Sequence, residues 1–204
     1  GFSDASYLAG MLAAAVSKSG KVGELGGTEL PPVVESFRTF AQGAHAVNPA
    51  IKIITSYIGN WDDVGAGKEQ ALAQFSQGVD VVFQNADAAG LGVFQAAKER
   101  HAFVIGSNSN QNGVAPDVTL ASVVIDLPMA FLTIAREVKA GTFKPGVIIL
   151  GEQSRVVTLV MNPALTATIP PSARARIDSL QERMFVGTFH VTAAAAAAAA
   201  ANKH

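Results

Sequence analysis

Apolar residues recur along the chain in two rhythms that take turns. Tyr7, Leu8, Met11, Leu12, Ala15 and Val16 fall at helical spacing. They predict a helix over residues 4–19, capped by Ser3 or Asp4 and ended by Gly20. A short strand follows at residues 21–25, then Gly26-Gly27. Val34, Phe37, Phe40, Ala41 and Ala44 predict a second helix over residues 31–47, with Pro31 in its first turn. The alternation continues with a strand at 51–58, a helix at 67–77, a strand at 79–83, a helix at 88–100 and a strand at 102–105. After Gly106 a polar loop runs from Ser107 to Asp117, ahead of a strand at 118–124. A helix over 127–140 carries Pro128 in its first turn and Gly141 past its end. Residues 146–150 and 155–161 read as two strands of a hairpin, and Pro170-Pro171 opens a last helix over 173–185. The unbroken run Ala193 to Ala201 is read as a stand-in for unassigned side chains, with a short helix or a flexible tail as the other readings. It is given no function.

Strands and helices alternating at this spacing imply parallel strands, helices on both faces and right-handed crossovers. The fold class is therefore an open α/β sheet. Ligands of such sheets bind outside the carboxyl ends of the strands. That rule nominates four loops, at residues 26–29, 59–63, 84–87 and 106–111. They hold Glu29, Asn60, Trp61, Asn85, Asp87, Asn108, Asn110 and Gln111. Each amide offers a donor and an acceptor, Trp61 a flat apolar face, and Asp87 a charged acceptor. The set suits a planar polar heterocycle or a sugar. Asn, Asp and Gly are also common in turns for local reasons. Their concentration at strand ends is what favours a ligand site.

Of the 204 residues, 49% are hydrophobic and 15% charged, which predicts a packed core and excludes disorder. The net charge of −1, with no basic patch, argues against a nucleic-acid partner. With no cysteine, disulfides, thiolate catalysis and cysteine metal sites are excluded together. His45, His101, His190 and His204 lack metal spacing, and neither a G-x-S-x-G elbow nor a P-loop occurs. Asp62-Asp63 reads as the first turn of a helix rather than a metal pair. Gly90-Leu91-Gly92 reads as close helix packing. No cofactor is expected. No stretch is long enough for a membrane span and no signal peptide is visible. The chain begins at Gly1 without Met, which is read as a processed or incomplete chain.

Several short stretches then share a resemblance. They are Tyr7-Leu8-Ala9-Gly10-Met11, Gly20-Lys21-Val22-Gly23, Phe40-Ala41-Gln42-Gly43-Ala44 and Val47-Asn48-Pro49. Lys68-Glu69, the run from Gln77 to Phe83, the run from Gly90 to Lys98, Ile105-Gly106 with Asn110-Gln111, and Gly141-Thr142-Phe143 continue it. The chain resembles the basic membrane protein family of ABC-transporter solute receptors, the purine and purine-nucleoside binders of bacterial envelopes. The resemblance implies a type I periplasmic-binding fold, with a small molecule clamped between two α/β lobes and delivered to an ABC permease. It implies a periplasmic or cell-surface location, with a lipid anchor. It places the second lobe at residues 1–121, the crossover and C-terminal elements at 122–190, and a tail at 191–204. The first lobe is expected to be largely missing from this sequence. The apolar face Met129, Leu132, Ile134, Ala135 and Val138 then needs a partner from that lobe.

Two departures bear on the ligand. The family's acidic pattern G-x-D-x-D-Q reads here Gly106-Ser107-Asn108-Ser109-Asn110-Gln111, and Ile125 stands where a lysine follows Ser122. Together they imply a different or more neutral ligand. Asn60-Trp61 and Asp87 resemble the adenine-binding branch. The expected contacts are Trp61 for stacking, Asp87, Asn108 and Asn110 for hydrogen bonding, and Asn85 and Glu29 in support. The alternative is the ligand-sensing domain of a regulator with the same fold. An enzyme such as a nucleoside hydrolase would need an acid/base or metal constellation that these residues do not supply.

Overall fold

The computed structural model describes residues 1–191. The expectation for the alanine run falls outside them. The chain order is α1 (Ser3–Val16), β1 (Lys21–Gly26), α2 (Pro31–Val47), β2 (Lys52–Tyr57), α3 (Val64–Ser76), β3 (Val81–Asn85), α4 (Gly90–Arg100), β4 (Phe103–Asn108), β5 (Thr119–Ile125), α5 (Leu127–Ala140), β6 (Val157–Met161) and α6 (Pro171–Phe185). The strands form one sheet in the order β2-β1-β3-β4-β5-β6. Neighbours from β2 through β5 run parallel, and β6 closes the edge antiparallel to β5.

Helices cover both faces, so the central strands bury both of their sides and read as continuous apolar runs. One core joins α1, α2 and α6 to the sheet through Leu8, Leu12, Phe40, Phe83, Leu120 and Ile177. The other joins α3 and α4 through Ala71, Val82, Val93 and Phe94. The expected close packing at Gly92 is present. A Cβ there would lie 2.0 Å from the Val64 carbonyl oxygen of α3.

Where boundaries moved, a specific interaction moved them. Helix α1 stops three residues earlier than its pattern, because Asp80 gathers the next residues. Its carboxylate accepts from Ser17 Oγ at 2.7 Å, Lys18 N at 2.7 Å and Ser19 N at 2.8 Å. Neither Ser3 nor Asp4 caps α1; Phe2 holds the cap position and Asp4 accepts from Val191 N instead. Helix α3 starts earlier than predicted, since Asp63 caps it by accepting from Ala66 N. Strands β3 and β4 end later, because Gln84, Asn85, Ser107 and Asn108 are strand residues rather than loop.

The expected hairpin is not there. Residues 146–150 form no strand, and Val147 and Ile149 are 95% and 79% exposed. Of the two predicted strands only β6 forms, and it pairs with β5 rather than with its neighbour in sequence. A short apolar run becomes a strand only where a partner edge is free, and β5 offered one. Helix α5 has its predicted limits, with Asp126 accepting from Met129 N at 2.8 Å and Gly141 in the left-handed region. None of its residues is buried, and Phe131 is 74% exposed.

Candidate functional site

The parallel strands bring their carboxyl ends to one level. Gly26 of β1 sits between Tyr57 of β2 and Asn85 of β3. Backbone pairing continues past the strand ends: Gly27 N donates to Asn85 O at 3.0 Å, and Gly59 N to Gly27 O at 2.8 Å. The loops carrying Glu29 and Trp61 are thus fixed to the strand carrying Asn85.

Trp61 is half-buried and its ring packs closely against Gly27. A Cβ at Gly27 would come within 2.3 Å of its Cε3, so only glycine admits the ring there. The Trp61 carbonyl accepts from Ala89 N at 2.9 Å, which ties this loop to the turn holding Asp87. Asn60 is spent locally, its Oδ1 accepting from Asp62 N and Asp63 N. Asp63 is the α3 cap described above, as the helix-turn reading of Asp62-Asp63 expects.

Asp87 and Asn108 close the next two strands. Both have positive φ, 50° and 67°, in a region that Asp and Asn tolerate better than other non-glycine residues. Asp87 is exposed, and its carboxylate has no hydrogen-bond partner among the described residues. Asn108 Nδ2 donates to Asn85 Oδ1 at 3.2 Å. This contact leaves Asn85 Nδ2 as a donor and Asn108 Oδ1 as an acceptor with no partner among the described residues. Among the described residues Asn110 bonds within its own turn, its Oδ1 accepting from Asn112 N at 3.1 Å. Glu29 is exposed and bonds to none of the others. The structure therefore joins Asn85 to Asn108 directly and Trp61 to the Asp87 turn through the backbone. Glu29 and Asn110 stand apart.

A buried hydrogen-bond chain lies beneath this edge. Gln84 Nε2 donates to Gln111 Oε1 at 2.6 Å, and Ser107 N to the same oxygen at 2.9 Å. Gln111 N donates to Ser122 Oγ at 3.0 Å, which donates to Asn112 Oδ1 at 2.8 Å. Asn112 Nδ2 ends the chain on Val160 O of β6. It pins the loop after β4 to three strands.

Two residues at this end of the sheet escaped the sequence reading. Tyr57 lies against Gly26, and its hydroxyl pKa is raised by burial first, then by the charges of Glu29 and Glu24. Glu24 is only 3% exposed. Burial pushes its carboxyl up to about 7, against the smaller opposite pull of Thr55 Oγ1, which donates to Oε2 at 2.6 Å. Glu24 Oε1 has no hydrogen-bond partner among the described residues. Nothing local marks Glu24, because an acid inside a strand looks like an outward-facing polar position. Tyr57 was discoverable as an aromatic just before Gly59-Asn60-Trp61. Among the described residues, no group of three or more His, Cys, Asp or Glu could hold a metal.

The strand-end edge is a wall rather than an enclosed hole. A cavity of about 290 Å³ lies instead at the far end of the sheet, lined by Met11, Val47, Ser172, Ala173, Arg176 and Ile177. A mostly parallel, open α/β sheet with an amide-rich carboxyl edge is the architecture of the type I periplasmic-binding fold. Comparison with known proteins agrees and narrows it. A family model described as ABC transporter substrate-binding protein PnrA-like, Bmp, matches residues 2–181. The chain belongs to this family.

Basic membrane protein A of Borreliella afzelii is 34% identical over 186 residues, covering 89% of this chain and 56% of that protein. A purine-binding protein of Brucella abortus is 30% identical over 189 residues, covering 91% of this chain and 53% of that protein. The chain thus spans about half the length of these relatives. Among solved structures, an ABC-transporter solute-binding protein from Conexibacter woesei superposes with a TM-score of 0.75 at 26% identity, covering 94% of this chain and 63% of that one. A transcriptional activator of the comK gene from Bacillus halodurans gives 0.79 at 26% identity, covering 94% and 65%. The family is one of extracytoplasmic solute-binding proteins, not an enzyme class. Among the described residues, no helix is long and apolar enough to cross a membrane.

Proposed function

We propose that this chain is one lobe of an ABC-importer receptor, and that its carboxyl edge forms one wall of a cleft for a purine base or nucleoside-like molecule. The observation that carries the reading is the row of indole, amide and carboxylate groups at the ends of β2, β3 and β4, in a family with a purine-binding relative. Trp61 offers a face for ring stacking. Asn85 and Asn108 offer a donor and an acceptor at the ring edge, and Asp87 accepts from an exocyclic amine. Asn110 and Glu29, in the neighbouring loops and not joined to these residues, are further contacts in this reading. The four loops contain Glu29, Asp62, Asp63 and Asp87 but no Lys or Arg. A phosphate would meet only like charge there, which supports an uncharged ligand.

In this reading residues 1–121 form the second lobe. Residues 122–190 carry the crossover to the first lobe and the C-terminal elements, and a hinge motion closes the cleft. The passages of the chain adjoin: Gly1 lies beside Leu150, and Asp126 N donates to Val156 O at 2.7 Å. The exposed apolar face of α5 supports a covering surface in the remainder of the protein. The receptor binds and delivers its ligand to a permease without turnover, from a periplasmic or lipid-anchored cell-surface position. A second reading, the sensing domain of a regulator, draws its support from the likeness to the comK activator.

Calorimetric titration of purines into the full-length protein and its Trp61→Ala variant tests the wall. Base stacking is worth about 1–3 kcal/mol. The variant is expected to bind at least about fivefold more weakly, and unchanged affinity would remove Trp61 from the site.

A further inference from the structure

The hydrogen-bond chain under the edge fixes one side chain more tightly than any residue of the proposed wall. Gln111 Oε1 accepts from two donors, Gln84 Nε2 and Ser107 N. Neither role can be exchanged. Ser107 N is a backbone donor, and Gln84 Oε1 is already committed to accepting from Ala86 N at 3.1 Å, which leaves Nε2 as its donor. The orientation of the Gln111 amide follows from these two backbone N–H groups. Its own Nε2 has no partner among the described residues, and it is not one of the buried unpartnered atoms. It is therefore a donor open to solvent on a rigid mount.

Gly106 makes this placement possible. A Cβ at residue 106 would lie 2.6 Å from Gln111 Oε1 and 3.0 Å from Gln111 Cβ. The glycine at the end of β4 thus gives Gln111 room to reach back under the strand. The result is a fixed donor in the loop that follows Asn108, on the same edge as the free donor of Asn85.

We propose that Gln111 is a ligand-contacting residue that donates from Nε2 to a carbonyl oxygen or ring nitrogen of the bound heterocycle, while its Oε1 holds the loop in place. This rests on the purine-receptor reading and adds a specificity-determining donor to it. A preordered donor discriminates strongly, because a ligand lacking the acceptor leaves it unpaired at no saving in order.

The test uses full-length protein, purine bases, and analogues that each lack one ring nitrogen or one carbonyl oxygen. Gln111→Glu keeps an oxygen for Gln84 Nε2 and Ser107 N but replaces the free donor with an acceptor. At pH 7.5 it is expected to keep the wild-type melting temperature and to bind the preferred purine about tenfold more weakly. Loss of one particular acceptor from the ligand should weaken wild type about tenfold and leave Gln111→Glu unaffected, a coupling that a purely structural residue would not produce. Gln111→Leu, which breaks the mount, should lose both affinity and stability. Equal losses in wild type and Gln111→Glu for every analogue would overturn the proposal even if purines bind. Wild-type protein that binds no purine would overturn the receptor reading and this contact with it.

Discussion

Glu24 sits on the aromatic side of β1 with one carboxylate oxygen bonded to Thr55 and the other bare. Burial raises its pKa from 4.5 to about 7, so the folded protein holds this proton more tightly than the unfolded chain. The resulting stability is fully present below about pH 4.5 and is lost as the pH rises to about 7. Urea unfolding should therefore show the wild type losing about 3 kcal/mol more than Glu24→Gln between pH 4.5 and 7.5. Parallel pH profiles would contradict a buried, protonated Glu24. Such a residue is illegible in the sequence, because alternation assigns an acid in a strand to the solvent face. The edge residues were legible for the opposite reason. Trp61, Asn85, Asp87 and Asn108 follow from a topological rule about strand ends, whereas Asn60 and Asp63 obey local turn and cap chemistry that the same residue types serve equally well.

Helices and strands followed from periodicity wherever a segment's partners were near in the pattern. Pro31 and Pro128 opened helices, and Gly141 closed one, where their backbone preferences required it. The failures have tertiary causes. Strands β3 and β4 run into amides because the ladder continues while side chains turn polar toward the edge. Residues 146–150 are as apolar as a strand but meet no strand edge. Asp80 stops α1 from 61 to 63 residues away in sequence. This last interaction carries a prediction for the element. Asp80→Ala removes three hydrogen bonds that fasten the α1–β1 turn to the start of β3, and should lower stability by about 2 kcal/mol in urea unfolding. A variant within 0.5 kcal/mol of wild type, the usual range of a surface substitution, would show that the turn holds without it.

At the scale of the molecule, the sheet presents one open edge and one uncovered helix. The edge carries hydrogen-bonding groups that the described residues do not satisfy, while α5 and residues 146–150 expose apolar side chains to solvent. Both features follow from the proposed reading, in which the chain works against a second lobe. In the proposed cleft a rigid mount such as the one under Gln111 would lose little freedom when the ligand arrives. The most direct test is native mass spectrometry of the full-length protein as purified, followed by mild denaturation. The account predicts release of an uncharged purine base or nucleoside in near-equal ratio to protein. A ligand-free mass that stays unchanged when purines are added, or release of a phosphorylated compound, would contradict it.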